Sequence, residues 1–147
     1  MKMSRILVPT NFSVGSDHAL RLAIAVARKD LGSITLMHVA PFPPTVVGDV
    51  YGPMPMLDVE PVIAQIGAES RHLVARQAAQ EIPADVPWTP LVVMGFPADE
   101  IAAQVERGGY DLVVMGTHGR RGLTHLILGS VAERVLRHSP VPVLVTR

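Results

Sequence analysis

Residues 116–130 read GTHGRRGLTHLILGS, and they gather the groups of this chain best suited to holding an anion. Gly116, Gly119 and Gly129 stand there although glycine costs more backbone entropy on folding than any other residue. A missing Cβ permits positive φ and close approach of a ligand, so successive main-chain N–H groups can point at one anion. Gly129 and Ser130 also open a helical pattern, whose free N–H groups and dipole attract negative charge. A phosphate group is the natural guest. Arg120 adds a guanidinium fork suited to phosphate oxygens, and His118 adds a ring nitrogen. A plainer reading of the same residues stands beside this one. Gly116 and Gly119 would merely turn the chain, Ser130 and Glu133 would form a capping box, and Arg120, Arg121 and His118 would be solvated loop residues. The spacing matches neither GxxxxGK[ST] nor GxGxxG.

Other chemistry is thinly supplied. The chain has no cysteine, which excludes disulfides and thiolate chemistry. Its six histidines show no zinc-ligand spacing, so any Mg²⁺ is expected to arrive with a phosphate-bearing ligand. Ser16, Asp17 and His18 are adjacent on a helical segment and point in different directions, so they cannot converge as a triad. No lysine and no water-positioning acid falls in the glycine stretch, so at most slow phosphate-ester hydrolysis is expected, and no dedicated enzyme. Thirteen basic residues balance thirteen acidic ones and aromatics are 4%, which argues against a nucleic-acid partner. The opening MKMSRILVPTNFS has no apolar run of signal or membrane-spanning length before Pro9, so the expected location is cytoplasmic, with no membrane partner.

The elements that must position these residues alternate in type. Arg5–Pro9 is a short apolar run of the kind buried on both faces of a parallel sheet. From Ser13 the apolar residues recur at helical spacing, with Gly32 just past the end. Ser33–Val39 reads as a second strand, and 40–61, with six prolines, as a long loop. Residues 62–81 are helical, 88–95 a third strand, 97–109 a helix, Asp111–Met115 a fourth strand, 130–139 a helix with Val131, Ala132, Val135 and Leu136 on one face, and 141–146 a fifth strand. Trp88, Met54 and Met56 read as packing or loop residues. This order predicts an α/β fold: a five-stranded, mainly parallel sheet with helices on both faces, a flavodoxin-like or Rossmann-like three-layer sandwich. The length of 147 residues suits a single domain, 1–147. Ligands of such sheets bind beyond the carboxyl ends of the strands, where Gly116 falls.

Gly116-x-x-Gly119, nine further residues and then Gly129-Ser130 resembles the G-2x-G-9x-G-S/T nucleotide signature of the universal stress protein family, ATP-binding branch. RILVPTNFS, TLMHV, DLVVMGTHGRRGL and GSVAERVLRHSPVPVLVTR resemble the family's first, second and fourth strands and its C-terminal end. The resemblance covers nearly the whole chain and fails in the proline loop. It implies ATP, with or without Mg²⁺, as the ligand. It further implies that Met115, Gly116, Gly119, Gly129, Ser130 and Val131 contact ribose and triphosphate, while Pro9, Thr10, Asn11 and Val39 line the adenine side. Asn11 departs from the aspartate that many members carry, replacing a charge with an amide. The resemblance also implies a homodimer through the C-terminal strand Val141–Thr146, an apolar strand expected at a sheet edge. A dimeric, nucleotide-dependent regulator in stress response is the resulting expectation. A nucleotide-independent scaffold that binds protein partners, or a slow ATPase, is the alternative.

Overall fold

A computed structural model describes residues 2–42, 58–117 and 128–147. Nine elements alternate along it: β1 (Arg5–Thr10), α1 (Val14–Asp30), β2 (Ser33–Ala40), α2 (Glu60–Glu81), β3 (Trp88–Met94), α3 (Pro97–Gly108), β4 (Leu112–Gly116), α4 (Ser130–His138) and β5 (Val143–Thr146). All strand pairings are parallel, in the order β3-β2-β1-β4-β5. The chain therefore steps outward from β1 to β3, returns across the sheet through α3, and continues outward through β4 and β5. Right-handed crossovers then put the helices of the two halves on opposite faces.

Alternation along β1 produces two cores. Ile6 and Val8 face Leu20, Ala23 and Ile24 of α1 and Val74 and Ala78 of α2. Leu7 faces the other way, with Met37, Val113 and Met115, against Ile101 and Val105 of α3 and Ala132 and Val135 of α4. Both faces of β1 are buried, which is why the strand reads as a continuous apolar run. Trp88 packs against the α1–α2 side, as expected of a packing residue.

The expected three-layer sandwich is the observed one, and its strand order is of the Rossmann type. Differences lie at element ends and have local causes. Helix α1 ends on Leu31, not Gly32, in the left-handed region (φ 52°). Gly32 is needed for another reason: a Cβ there would stand 2.8 Å from the Met3 carbonyl oxygen. Helix α2 starts at Glu60, with Pro61 in its first turn, inside the span expected to be loop. Residues 43–57 of that loop lie outside the described residues. Strand β5 begins at Val143 rather than 141, because Pro142 has no N–H to give and contributes only its carbonyl, which accepts from Val113 N–H at 3.0 Å. In α4, Ala132 and Val135 are buried and Val131 half-buried, whereas Leu136 is exposed.

Candidate functional site

Strand order reverses between β1 and β4, and there the sheet opens. The β1–β4 pairing is confined to Ile6 with Leu112 and Leu7 with Val113, whereas β1 pairs with β2 through Thr10. Proline explains the difference. The Arg5 carbonyl accepts from Asp111 on the β4 side, so by alternation residue 9 turns its main chain to the same side, and Pro9 has no N–H to extend the ladder. Beyond it lies a cavity of about 440 Å³.

The cavity has two kinds of wall. Met37 and Val39 of β2, Met115 of β4, and Pro97 and Ile101 of α3 make an apolar side. Thr10, Asn11 and Ser16 of the β1–α1 corner, with Thr117, Gly129 and Ser130 around the start of α4, make a polar one. None of the described residues lining it is ionisable. Among the described residues, attraction for an anion therefore comes from main-chain dipoles. Helix α4 provides them: its N-cap is Gly129, no side chain of the described residues caps it, and the first intrahelical bond runs from Glu133 N–H to the Gly129 carbonyl at 2.9 Å. The N–H groups of Ser130, Val131 and Ala132 consequently have no partner within the helix, and all three residues line the cavity. Helix α3 also starts beside the cavity, but carries Asp99 and Glu100 in its first turn. Those carboxylates already complement its positive end.

The β1–α1 corner is tightly bonded. Phe12 adopts φ 61°, and its N–H donates to Thr10 Oγ1 at 3.1 Å. Asn11 Oδ1 accepts from Ser13 N–H at 3.1 Å, and Ser13 Oγ caps α1 by accepting from Ser16 N–H. The His38 ring packs against Phe12 in a tilted arrangement, 4.6 Å between centroids, and is bonded to the Thr10 carbonyl through Nδ1 at 2.9 Å. The Thr10 hydroxyl is thus engaged inside the fold.

Nine of the expected site residues line this one cavity: Pro9, Thr10, Asn11, Val39, Met115, Gly116, Gly129, Ser130 and Val131. His118, Gly119 and Arg120 lie outside the described residues. Three details of the expected chemistry are corrected. Gly116 does not take positive φ, which among the described glycines is confined to Gly95 and Gly109; it is instead pressed against the Gly15 main chain. The Gly129 amide does not face a ligand, because it donates to the Thr117 carbonyl at 2.8 Å. Ser130 and Glu133 form no capping box, since Ser130 is already the first helical residue and the Glu133 carboxylate pairs with Arg137. Met37, Pro97, Ile101, Ser16, Thr117 and Ala132 were not foreseen. Met37 was accessible by alternation from Val39, whereas Pro97 and Ile101 join the site only because α3 crosses back over the sheet.

Fold and cavity define a doubly wound α/β protein with a cavity at the strand-order reversal. The chain belongs to the universal stress protein family, whose sequence model matches residues 2–147. Universal stress protein MJ0531 of Methanocaldococcus jannaschii is 32% identical over 143 residues, covering 97% of this chain and 81% of that protein. The solved structure of MJ0577, from the same organism, superposes with a TM-score of 0.81 at 26% identity, covering 99% of this chain and 96% of that one. A universal stress protein solved in complex with cAMP shares the fold, with a TM-score of 0.63 at 22% identity, covering 100% of this chain and 98% of that one.

Proposed function

We propose that this protein binds ATP in the β1–β4 cavity and acts, as a dimer and a single nucleotide-binding domain, as a nucleotide-dependent regulator in stress response. The observation that carries the reading is the start of α4, without a side-chain cap among the described residues, opening into a cavity that also has an apolar wall. The Ser130, Val131 and Ala132 amides hold the phosphates, and Pro9, Asn11 and Val39 line the side taken by the base. Hydrogen bonds to an ionised group contribute about 1.5–3 kcal/mol each, and micromolar affinity requires about 8 kcal/mol. Three such amides and an apolar wall for the base are the contacts that the cavity offers toward that total. That a family member has been solved with cAMP accords with an adenine nucleotide as the ligand class.

Hydrolysis of the bound nucleotide is taken to be slow at most, because the described lining residues include no ionisable side chain to serve as general base or general acid. Mg²⁺ would enter on the phosphates, as no group of three acidic or histidine side chains suited to a metal occurs among the described residues. The dimer is assigned to β5, an edge strand four residues long whose Leu144 is 37% exposed. No described helix is long and apolar enough to cross a membrane, and action in the cytoplasm is part of the proposal.

Isothermal titration calorimetry with ATP tests the reading. Micromolar binding is expected, together with loss of binding in Gly129→Leu, which places a bulky side chain on a residue that lines the cavity at the start of α4. Neither heat nor a thermal shift at millimolar ATP would overturn it.

A further inference from the structure

The β1–α1 corner of the cavity is held by a buried polar chain that comes from α2, a helix that contributes no described residue to the cavity wall. Gln77 is 7% exposed and Thr10 5% exposed. The Gln77 amide nitrogen donates to Asp17 Oδ1 at 2.6 Å, which turns its amide oxygen toward Thr10 Oγ1 at 2.9 Å. The single Thr10 hydroxyl proton is shared between that oxygen and Ser16 Oγ at 3.1 Å, since the Ser16 hydroxyl itself donates to the Ser13 carbonyl at 2.8 Å. With its proton committed, Thr10 Oγ1 presents a lone pair to the Phe12 N–H and so fixes the left-handed turn that follows Asn11. A residue whose only task was to pack α2 on the sheet would be apolar, as its neighbours Val74 and Ala78 are. A buried amide is tolerated when both ends find partners, and both partners of this one belong to the β1–α1 corner.

We propose that Gln77 is a positioning residue for the ligand: by orienting the Thr10 hydroxyl it sets the Phe12 turn, and hence the place of Asn11 and of the α1 start on the base side of the cavity. The proposal rests on the nucleotide reading given above. It makes α2 a lever on base recognition, separate from the phosphate contacts at α4.

Calorimetric titration with ATP and with tripolyphosphate, which lacks base and ribose, tests it on the full chain. Gln77→Leu, with an unchanged circular dichroism spectrum and a cooperative melt, should weaken ATP about tenfold or more and leave tripolyphosphate within about twofold. Gln77→Glu sets a carboxylate against Asp17 and should likewise weaken ATP. Adding Asp17→Asn exchanges amide and carboxylate across the same bond, and should restore ATP affinity to within about threefold of wild type. This pair keeps the test decisive if Gln77→Leu fails to fold. Undiminished ATP binding by folded Gln77→Leu, an equal loss of tripolyphosphate, or absence of rescue in the double variant overturns the proposal while wild-type binding upholds the nucleotide reading. A silent wild-type titration overturns both.

Discussion

Gly116 at the end of β4 lies against Gly15 in the first turn of α1, so closely that a Cβ on Gly116 would stand 2.8 Å from both the carbonyl carbon and the carbonyl oxygen of Gly15. The obstacle is main chain and cannot rotate away. The glycine therefore serves the approach of helix to strand beneath the site, rather than an unusual φ. Gly116→Ala is expected to lower stability by about 1–3 kcal/mol, the usual cost of forcing a methyl into packed structure, read from the midpoint of urea unfolding.

Gly129 stands differently. Its φ of −61° and ψ of 149° are open to any residue, and its position is that of an uncapped N-cap. Gly129→Asp should accept the free α4 amides and raise stability by about a few tenths of a kcal/mol. Because the new carboxylate occupies the same amides and repels phosphate, ATP affinity should fall at least tenfold. Thermal melts and calorimetry on one preparation measure both, and opposite signs are the expected outcome.

Ser130 supplies a contrast. Its hydroxyl makes no cap bond and the residue is exposed. Ser130→Ala should change stability by less than about 0.5 kcal/mol, against the ~1 kcal/mol typical of a lost N-cap. A larger loss in urea unfolding would show that the hydroxyl caps the helix after all.

Asp111 closes the opposite end of the sheet. Its Oδ2 accepts from the N–H groups of Ser4 and Arg5, both at 2.9 Å, joining the start of β1 to the start of β4. Asp111→Ala should cost about 1.5–3 kcal/mol in urea unfolding, the range for a hydrogen bond to a charged group, with ATP affinity unchanged because the cavity lies at the other end of the strands.

Acid should weaken the junction of α1 with α2 and with the turn before β3. Bidentate hydrogen bonds from Arg21 hold the Glu81 carboxyl below its usual range, and those from Arg28 do the same for Asp85. Groups with depressed pKa stabilise fully above the ordinary carboxylate range, and that stabilisation disappears as pH falls through their lowered values. A Glu81→Gln/Asp85→Asn variant should thus be slightly less stable than wild type at neutral pH and equal to it at strongly acid pH. Both pairs are solvent-exposed, so the gap should be small and shrink further with salt. Denaturant midpoints across the acid range measure it.

Much of the fold is legible in the sequence because its signals are local. Strand β1 is apolar from Ile6 to Pro9 in a two-sided core, α1 repeats alanine and leucine at helical spacing, and Ser13 is of a type that favours the N-cap. Nine expected site residues meet in one cavity because they end strands or start helices, and a parallel sheet brings such ends to one edge. What failed were inferences about the reasons for particular glycines. Gly32 and Gly116 both answer to a backbone distant in sequence, Met3 and Gly15, and composition carries no trace of that.

Sequence alone determined the α/β class, the alternation of elements and the edge of the sheet at which the cavity opens, since periodicity and caps act over a few residues. Tertiary structure decided which amides are open and what holds the cavity's corner. The Gly129 N–H is taken by Thr117, those of Ser130 to Ala132 lack helical partners, and Gln77 reaches Thr10 across 67 positions. The physical reason is that a hydrogen-bonding group is available only after every competing partner in space has been placed, and most of those partners are far away along the chain.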